Sequence, residues 1–248
     1  VNTMLKTIRS LVLLCLLGLL ALQAYFALRI VGMVWIAPES TSFERSAIYQ
    51  IATTKPLRWR QEWADYARIS PNLKRTIIAS EDGNFVDHDG VDWSAIERAR
   101  NKNEKTEKSI AKAPTKMPNG KPAKPPKIVG GSTLTQQLAK NLFLSGERTY
   151  LRKGQELVIT YLLEFFLDKE RILEIYLNHV EWGKGVFGAE AAARHYFSKP
   201  AAQLTPWESA RLAVMLPRPK YFEKLPQSPY LTDRSQVILG RMGAAVLP

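Results

Sequence analysis

The chain has 248 residues, of which 46% are hydrophobic and 23% charged, a composition typical of a globular domain with its own core. Its one cysteine, Cys15, lies in an apolar run, so neither a disulfide nor a cysteine-based metal site can form within one chain. The formal net charge of +12 predicts an anionic partner, and nucleic acid, an anionic membrane surface and a phosphorylated substrate all qualify.

The N-terminal part of the chain is apolar enough to cross a membrane. The 19 residues from Ser10 to Leu28 carry no charge, and an α-helix needs ~20 residues to span a bilayer core. Lys6 and Arg9 precede this run, which predicts a cytoplasmic N-terminus and an external remainder. We expect a tail and anchor over residues 1–37. A cleaved signal peptide and a buried core helix are the alternatives.

Helices dominate the predicted elements of the remaining chain. Ser70 and Pro71 are typical of an N-cap and a first helical residue, and Ser94 with Glu97 matches a capping box. Apolar periodicity predicts further helices over residues 152–167, 169–177 and 189–197, and another that begins near Thr205 and ends before Pro217. In the helix over residues 152–167, one side is predicted to carry Val158, Tyr161, Leu162, Phe165 and Phe166.

Half of the net charge lies in one segment. Between Lys102 and Lys127, eight lysines face two glutamates, a net charge of +6, and five prolines lie in the same stretch. A segment of this composition buries too little apolar surface to order itself, so residues 102–128 are predicted to be a flexible basic loop. This placement weakens the nucleic-acid interpretation.

The first group of chemically capable residues lies at the end of the first predicted helix of the domain. Glu81 follows Ile77 by four residues and Ile78 by three, so it continues their apolar stripe. Partial desolvation would raise the pKa of this carboxylate towards the range that suits proton transfer. An ordinary carboxylate at a helix end is the alternative.

Two further groups are polar or charged. The stretch from Gly130 to Asn141 is rich in glycine, hydroxyls and amides ahead of a helix, which suits a sugar or a phosphate, or simply caps that helix. Arg152, Lys153 and Glu156 indicate either a cationic clamp for phosphate or a surface ion pair. A fourth stretch, from Glu174 to Phe197, is most simply a set of core residues.

Taken in order, these stretches resemble the glycosyltransferase family 51 peptidoglycan polymerases. The motif E-D-x-x-F-x-x-H is matched by Glu81, Asp82, Phe85 and His88. The motif G-x-S-T-x-T-Q-Q-L-x-K-N is matched from Gly130 to Asn141, and includes Ser132, Thr135, Gln136, Gln137 and Lys140. The remaining motifs are R-K-x-x-E at residues 152–156, the run from Y-L-N to Y-F at residues 176–197, and the C-terminal motif L-T-x-x-E-x-A-x-L-A…P at residues 204–217.

The resemblance implies a mostly α fold, with a lysozyme-like helical large lobe and a smaller mobile lobe in a catalytic domain over residues 38–248. It implies polymerisation of lipid II into β-1,4 glycan with release of undecaprenyl pyrophosphate, on the outer side of the bacterial cytoplasmic membrane. The expected partners are lipid II, the growing lipid-linked glycan, the membrane and cell-wall synthesis or division proteins, but no nucleic acid. No required cofactor is expected, although Mg²⁺ or Mn²⁺ can assist at a pyrophosphate. No transpeptidase domain is expected.

The resemblance also assigns roles to residues. Glu81 would be the general base, and Glu156 would lie beside the pyrophosphate and assist its departure. The cations that would stabilise the leaving group are Lys140, Arg152 and Lys153. The remaining substrate-binding positions that it implies are Asp82, Phe85, His88, Ser132, Thr135, Gln136, Gln137 and Asn141.

Two other functions remain open from sequence. A lysozyme-like glycan hydrolase would also use a catalytic glutamate in a helical fold, but the Arg152 and Lys153 pair favours a phosphorylated donor. A non-catalytic, membrane-anchored scaffold in cell-wall assembly is the second alternative, and the presence of both Glu81 and Glu156 argues against it.

Overall fold

The computed structural model describes residues 2–52, 59–111, 130–147 and 149–248. In these ranges it contains eleven α-helices, which confirms the prediction of a mostly α fold. They are α1 (Asn2–Gly32), α2 (Ser42–Ala52), α3 (Pro71–Glu81), α4 (Trp93–Ala111), α5 (Leu134–Phe143), α6 (Tyr150–Phe166), α7 (Lys169–His179), α8 (Ala189–Phe197), α9 (Pro206–Met215), α10 (Pro219–Phe222) and α11 (Pro229–Met242).

The strands in the described ranges are short and form one sheet. They are β1 (Arg60–Gln61), β2 (Glu181–Gly183) and β3 (Val186–Phe187), in the order β1-β3-β2. Strand β3 pairs parallel to β1 and antiparallel to β2. The main core is helical: α3, α9 and α11 pack together, and α5 packs between α6 and α7.

Helix α1 has two differently exposed parts. Its N-terminal part presents apolar side chains to the outside, and the helix is long and apolar enough to cross a membrane. At its other end, Phe26 and Ile30, with the following Met33, are buried in the same core as α3. We predicted a boundary between the anchor and the domain at residue 37. The last turns of α1 nevertheless belong to the same hydrophobic core as the domain. The mobility of the predicted smaller lobe stays a prediction.

Two of the predicted helix starts are confirmed by their caps. The hydroxyl of Ser70 accepts a hydrogen bond from the backbone N–H of Asn72, and Pro71 is the first residue of α3. Thr205 and Glu208 form a reciprocal capping box ahead of α9. The predicted capping box at Ser94 is wrong, because Asp92, two residues earlier, accepts from the backbone N–H of Ala95 at 2.8 Å and caps α4 instead.

The predicted basic loop is wrong over its first part, because α4 continues to Ala111. Lysine, glutamate and alanine are good helix formers, and the first proline of the segment comes only at Pro114. An ion pair of 2.6 Å between Glu104 and Lys108, one turn apart, also supports the helix. Residues 112–128 of the predicted loop lie outside the described residues.

The predicted apolar face of α6 is confirmed only in part. Leu162 and Phe166 pack against the core, but Val158, Tyr161 and Phe165, which we expected on the same side, are all exposed. The buried side chains of the helix are Glu156, Ile159, Thr160 and Leu163. The apolar pattern misplaces the centre of the inward face, because that face carries a charged residue as well as apolar ones.

Candidate active site

Glu81 is the last residue of α3, where the buried stripe of that helix meets a cavity. Leu73, Ile77 and Ile78 are almost completely buried, and they hold this face of α3 against the core. The Glu81 side chain is half-buried and lines a cavity of about 160 Å³ together with residues 130–133. The predicted position of this carboxylate at a helix end that is partly removed from water is therefore confirmed.

Gln137 of α5 holds the Glu81 carboxylate. Its amide Nε2 donates to Oε2 of Glu81 at 3.0 Å. Its Oε1 accepts a hydrogen bond of 3.1 Å from the hydroxyl of Tyr176, a fully buried side chain on α7. Because Tyr176 binds the oxygen of the amide, the nitrogen is directed towards Glu81.

Several groups set the pKa of Glu81. Burial raises this pKa above its ordinary value, and the hydrogen bond from Gln137 opposes the rise. The neighbouring charge of Asp82 adds to the rise, and the charge of Lys140 opposes it. The result is a carboxylate whose pKa is raised, as a general base that works near neutral pH requires.

Asp82 joins the end of α3 to the start of α5. Its Oδ2 accepts a hydrogen bond of 2.9 Å from the backbone N–H of Leu134, and its Oδ1 lies 2.9 Å from Nε2 of His88. A carboxylate at a helix N-terminus is stabilised by the orphan N–H groups and the helix dipole. Asp82 therefore connects the end of α3, which carries Glu81, to the start of α5, which carries Gln137.

The start of α5 is a capping box. The hydroxyl oxygen of Thr133 accepts from the backbone N–H of Gln136, and the backbone N–H of Thr133 donates to Oε1 of Gln136. Gly131 precedes it, and a Cβ there would lie 3.0 Å from the Cα of Ile96, so a side chain would collide with α4. Ser132 stands between these residues and lines both the Glu81 cavity and the next one.

The next cavity has a volume of about 330 Å³ and a cationic wall. Glu156 is buried, and its Oε2 lies 2.7 Å from Nη1 of Arg152. Lys153 contacts the other carboxylate oxygen. Lys140 lines the same cavity, and burial lowers its pKa while the charge of Glu156 opposes that change. The ion pair between Arg152 and Glu156, for which a surface position was the alternative, is thus part of a cavity wall.

Of the other predicted site residues, Gln136 lines a cavity, and the remaining ones lie outside the walls of the two cavities. Phe85 is fully buried in the core, and His88 is engaged by Asp82. Thr135 is fully buried and its hydroxyl donates to Glu164 at 2.6 Å. Asn141 is half-buried on α5 and outside the described cavity walls. Gln136 lines the cationic cavity and caps α5 as well.

Phe43, Arg98 and Tyr176 are among the site residues that were not identified from sequence. Phe43 of α2 lines the cationic cavity, and its ring centroid lies 5.3 Å from Nζ of Lys140. Arg98 of α4 lines the Glu81 cavity. Tyr176 was assigned to the core, which is correct, but it also orients Gln137. Only its hydroxyl could have indicated this, because a buried tyrosine usually has a hydrogen-bond partner.

The described residues do not form a metal cage. Within the described ranges, no group of three or more His, Cys, Asp or Glu side chains is arranged to hold a metal ion. Two carboxylates line the cationic cavity, Glu147 and Glu156, and Glu156 is already paired with Arg152 and Lys153. The expectation that a divalent cation can assist stays a prediction.

Comparisons with known proteins place this geometry in context. The family described as Transglycosylase matches residues 48–243. A biosynthetic peptidoglycan transglycosylase from Herminiimonas arsenicoxydans is 52% identical over 244 residues, which cover 98% of this chain and 98% of the relative. Proteins of the same name from Janthinobacterium sp. (strain Marseille) and Paraburkholderia xenovorans (strain LB400) are each 52% identical over 230 residues, or 92% of this chain. These cover 92% and 88% of the two relatives, respectively.

Proposed function

We propose that this chain, which belongs to the transglycosylase family, polymerises bacterial cell-wall glycan from a disaccharide-peptide carried on a polyprenyl pyrophosphate. The observation that supports this best is that two cavities adjoin at Ser132, which lines both of them. Glu81 lines one cavity, and the cations around Glu156 line the other. A base and a set of cations are the two things that sugar transfer from a pyrophosphate needs.

The reaction uses these groups in one displacement. Glu81 takes the proton of the acceptor 4-hydroxyl, and the electron pair of that oxygen forms a bond to the anomeric carbon of the donor. The bond from that carbon to the pyrophosphate oxygen breaks, and the pair leaves with the pyrophosphate. The attack from the opposite face inverts the carbon and gives a β-1,4 link.

The charge that develops on the leaving pyrophosphate is stabilised by Lys140, Arg152 and Lys153. Electrostatic stabilisation by groups already in place is usually the largest contribution to such a step. Glu156 accepts from both Arg152 and Lys153, so it fixes the direction in which their remaining N–H groups point. Ser132, Gln136 and Gln137 supply neutral hydrogen bonds around the sugars.

The anchor supports a membrane location. Helix α1 brings the domain to a bilayer, where a lipid-linked substrate resides, and Lys6 and Arg9 favour a cytoplasmic N-terminus in the bacterial inner membrane. Because Phe26, Ile30 and Met33 are core residues, a cleavage that removed the whole helix would also remove part of the core. This supports an anchor that is retained. Cell-wall synthesis or division proteins remain the expected partners.

The test is product analysis with the full chain in detergent. Purified lipid-linked disaccharide-peptide is added, and glycan length and released polyprenyl pyrophosphate are measured together. We expect glycan that lengthens with time and one pyrophosphate released for each disaccharide added. A glycan hydrolase would instead shorten preformed glycan without releasing pyrophosphate, and a scaffold would do neither.

A further inference from the structure

A third cavity, of about 550 Å³, lies between α2 and the end of α5. We call it the α2 groove. Phe43 and Gly146 line both this groove and the cationic cavity, so the two spaces adjoin. The roles proposed above for Glu81, Lys140, Arg152, Lys153 and Glu156 do not use it.

The walls of the α2 groove mix polar and apolar side chains. Ser42, Ser46 and Gln50 face it from α2 at one-turn spacing, and Phe143 and Leu144 face it from the end of α5. A volume of this size is that of a small-ligand site. The serines and the glutamine suit a polar ligand better than they suit an apolar polyprenyl chain. Such a chain is expected to stay in the bilayer.

An ion pair forms one part of the groove wall. Nζ of Lys220 on α10 lies 2.9 Å from Oε1 of Glu181 on β2. Burial raises the pKa of Glu181, and Lys220 opposes that rise. The Lys220 side chain is 49% exposed, so its ammonium is open to a ligand as well as to Glu181. The wall thus offers a cation and an anion side by side.

We propose that the α2 groove binds the peptide of the lipid-linked disaccharide-peptide, an inference that rests on the proposed function. In that substrate the peptide and the pyrophosphate are attached to the same sugar. When the cations around Lys140 hold the pyrophosphate, the peptide therefore starts next to the cavity boundary at Phe43 and Gly146. An extended peptide of three to five residues reaches about 10–17 Å, which is enough to enter a neighbouring groove.

The charges of the groove match those of such a peptide. A peptide that carries both carboxylates and an amine can exchange partners with the two members of an ion pair, its carboxylate with Lys220 and its amine with Glu181. Charge-assisted hydrogen bonds of this kind are stronger than neutral ones. The ion pair in the free protein occupies both groups until the peptide arrives.

The experiment compares two substrates that share one lipid and one disaccharide, with and without the peptide. The quantity measured is the ratio of kcat/KM for the peptide-bearing donor to that for the peptide-free donor. We expect Lys220→Ala and Glu181→Gln each to lower this ratio about tenfold, and the matched control Lys224→Ala, an exposed lysine outside the groove, to leave it as in the parent.

A charge-swapped variant separates recognition from structure. Glu181→Lys with Lys220→Glu keeps an ion pair between β2 and α10 but exchanges the positions of the charges. We expect it to keep the melting temperature of the parent and still show the lowered ratio. A parental ratio in the single variants, or a ratio restored by the swap, would overturn the inference while leaving the polymerase intact. Failure of the parent on both substrates would instead overturn the proposed function, and the inference with it.

Discussion

The amide of Gln137 donates to the carboxylate of Glu81 at 3.0 Å, and the hydroxyl of Tyr176 fixes which end of that amide faces it. The three residues come from α5, α3 and α7, so the Glu81 carboxylate is positioned where three helices meet. Burial and the hydrogen bond have opposite effects on the pKa of Glu81. A change in the burial or in the hydrogen bond therefore shifts the pH at which the Glu81 carboxylate ionises.

Replacement of Gln137 by leucine tests this balance. The hydrogen bond favours the ionised carboxylate, so its loss raises the pKa of Glu81 further. Since only the ionised form accepts a proton, the acid limb of the kcat/KM profile moves to higher pH. Tyr176→Phe, which only frees the amide to rotate, is expected to move the limb in the same direction by less. An acid limb that stays in place or moves to lower pH in Gln137→Leu would contradict this account.

Asp82 is expected to be a stability residue as well as a neighbour of the base. Its carboxylate accepts from the backbone N–H of Leu134 and contacts His88, and Asp82→Ala leaves both without that partner. A hydrogen bond to a charged group contributes about 1.5–3 kcal/mol. We expect a loss of about 2–3 kcal/mol in the free energy of unfolding, measured by denaturant titration in detergent. His88→Ala should cost less, and a change below about 0.5 kcal/mol in Asp82→Ala would count against this role.

Glu156 is expected to control the alkaline limb through Lys140. Burial lowers the pKa of Lys140, and Glu156 is the first of the charges that oppose this. In Glu156→Gln the pKa falls further, so the ammonium is lost at a lower pH. If the ammonium holds the pyrophosphate, the alkaline limb of kcat/KM moves to lower pH.

A second substitution provides the control for Glu156. Lys140→Arg in the Glu156→Gln background keeps a positive charge at every working pH, because a guanidinium is not deprotonated in proteins. It should restore the alkaline limb, whatever its effect on the maximal rate. An alkaline limb that is unchanged in Glu156→Gln would show that Lys140 is not the group that titrates.

The anchor is tied to α6 by a reciprocal amide pair. Gln23 and Gln155 each donate to the other at 3.0 Å, and Gln155 is next to Glu156. Because Gln23 lies within the predicted membrane span, either amide left alone has few other partners. We expect Gln23→Leu and Gln155→Leu each to lower stability, and the double variant to lose less than the sum. A double-mutant cycle should give a coupling of about 0.6–1.7 kcal/mol, and a coupling near zero would contradict the pairing.

Local patterns predicted the parts of this structure that depend on neighbours in sequence. The cap of α3 at Ser70 and the position of Glu81 follow from spacing over a few turns. The start of α4 was misplaced because Asp92 and Ser94 are both good caps and lie two residues apart. The sequence pattern alone does not distinguish which of the two residues caps the helix.

Contacts across the chain were beyond sequence reasoning. Tyr176 and Gln137 are 39 residues apart, and Gln23 and Gln155 are 132 apart. Helical periodicity relates residues three or four positions apart, so it does not indicate that the members of either pair are in contact. The inward face of α6 was predicted only in part for a related reason. The buried Glu156 can only be recognised once Arg152 and Lys153 are seen to neutralise it in the cavity.

The most direct test of the central claim replaces Glu81 by glutamine and measures glycan formation from the lipid-linked disaccharide-peptide. Burial raises the pKa of this carboxylate, so its ionised form costs stability as pH rises through that pKa. The Glu81→Gln variant should therefore be at least as stable as the parent at neutral pH. A measurement of its unfolding free energy then shows whether it is folded. We predict long glycan from the parent and a rate about 10²–10⁴-fold lower from the variant. Equal glycan synthesis by the two folded proteins would contradict the assignment of Glu81 as the base.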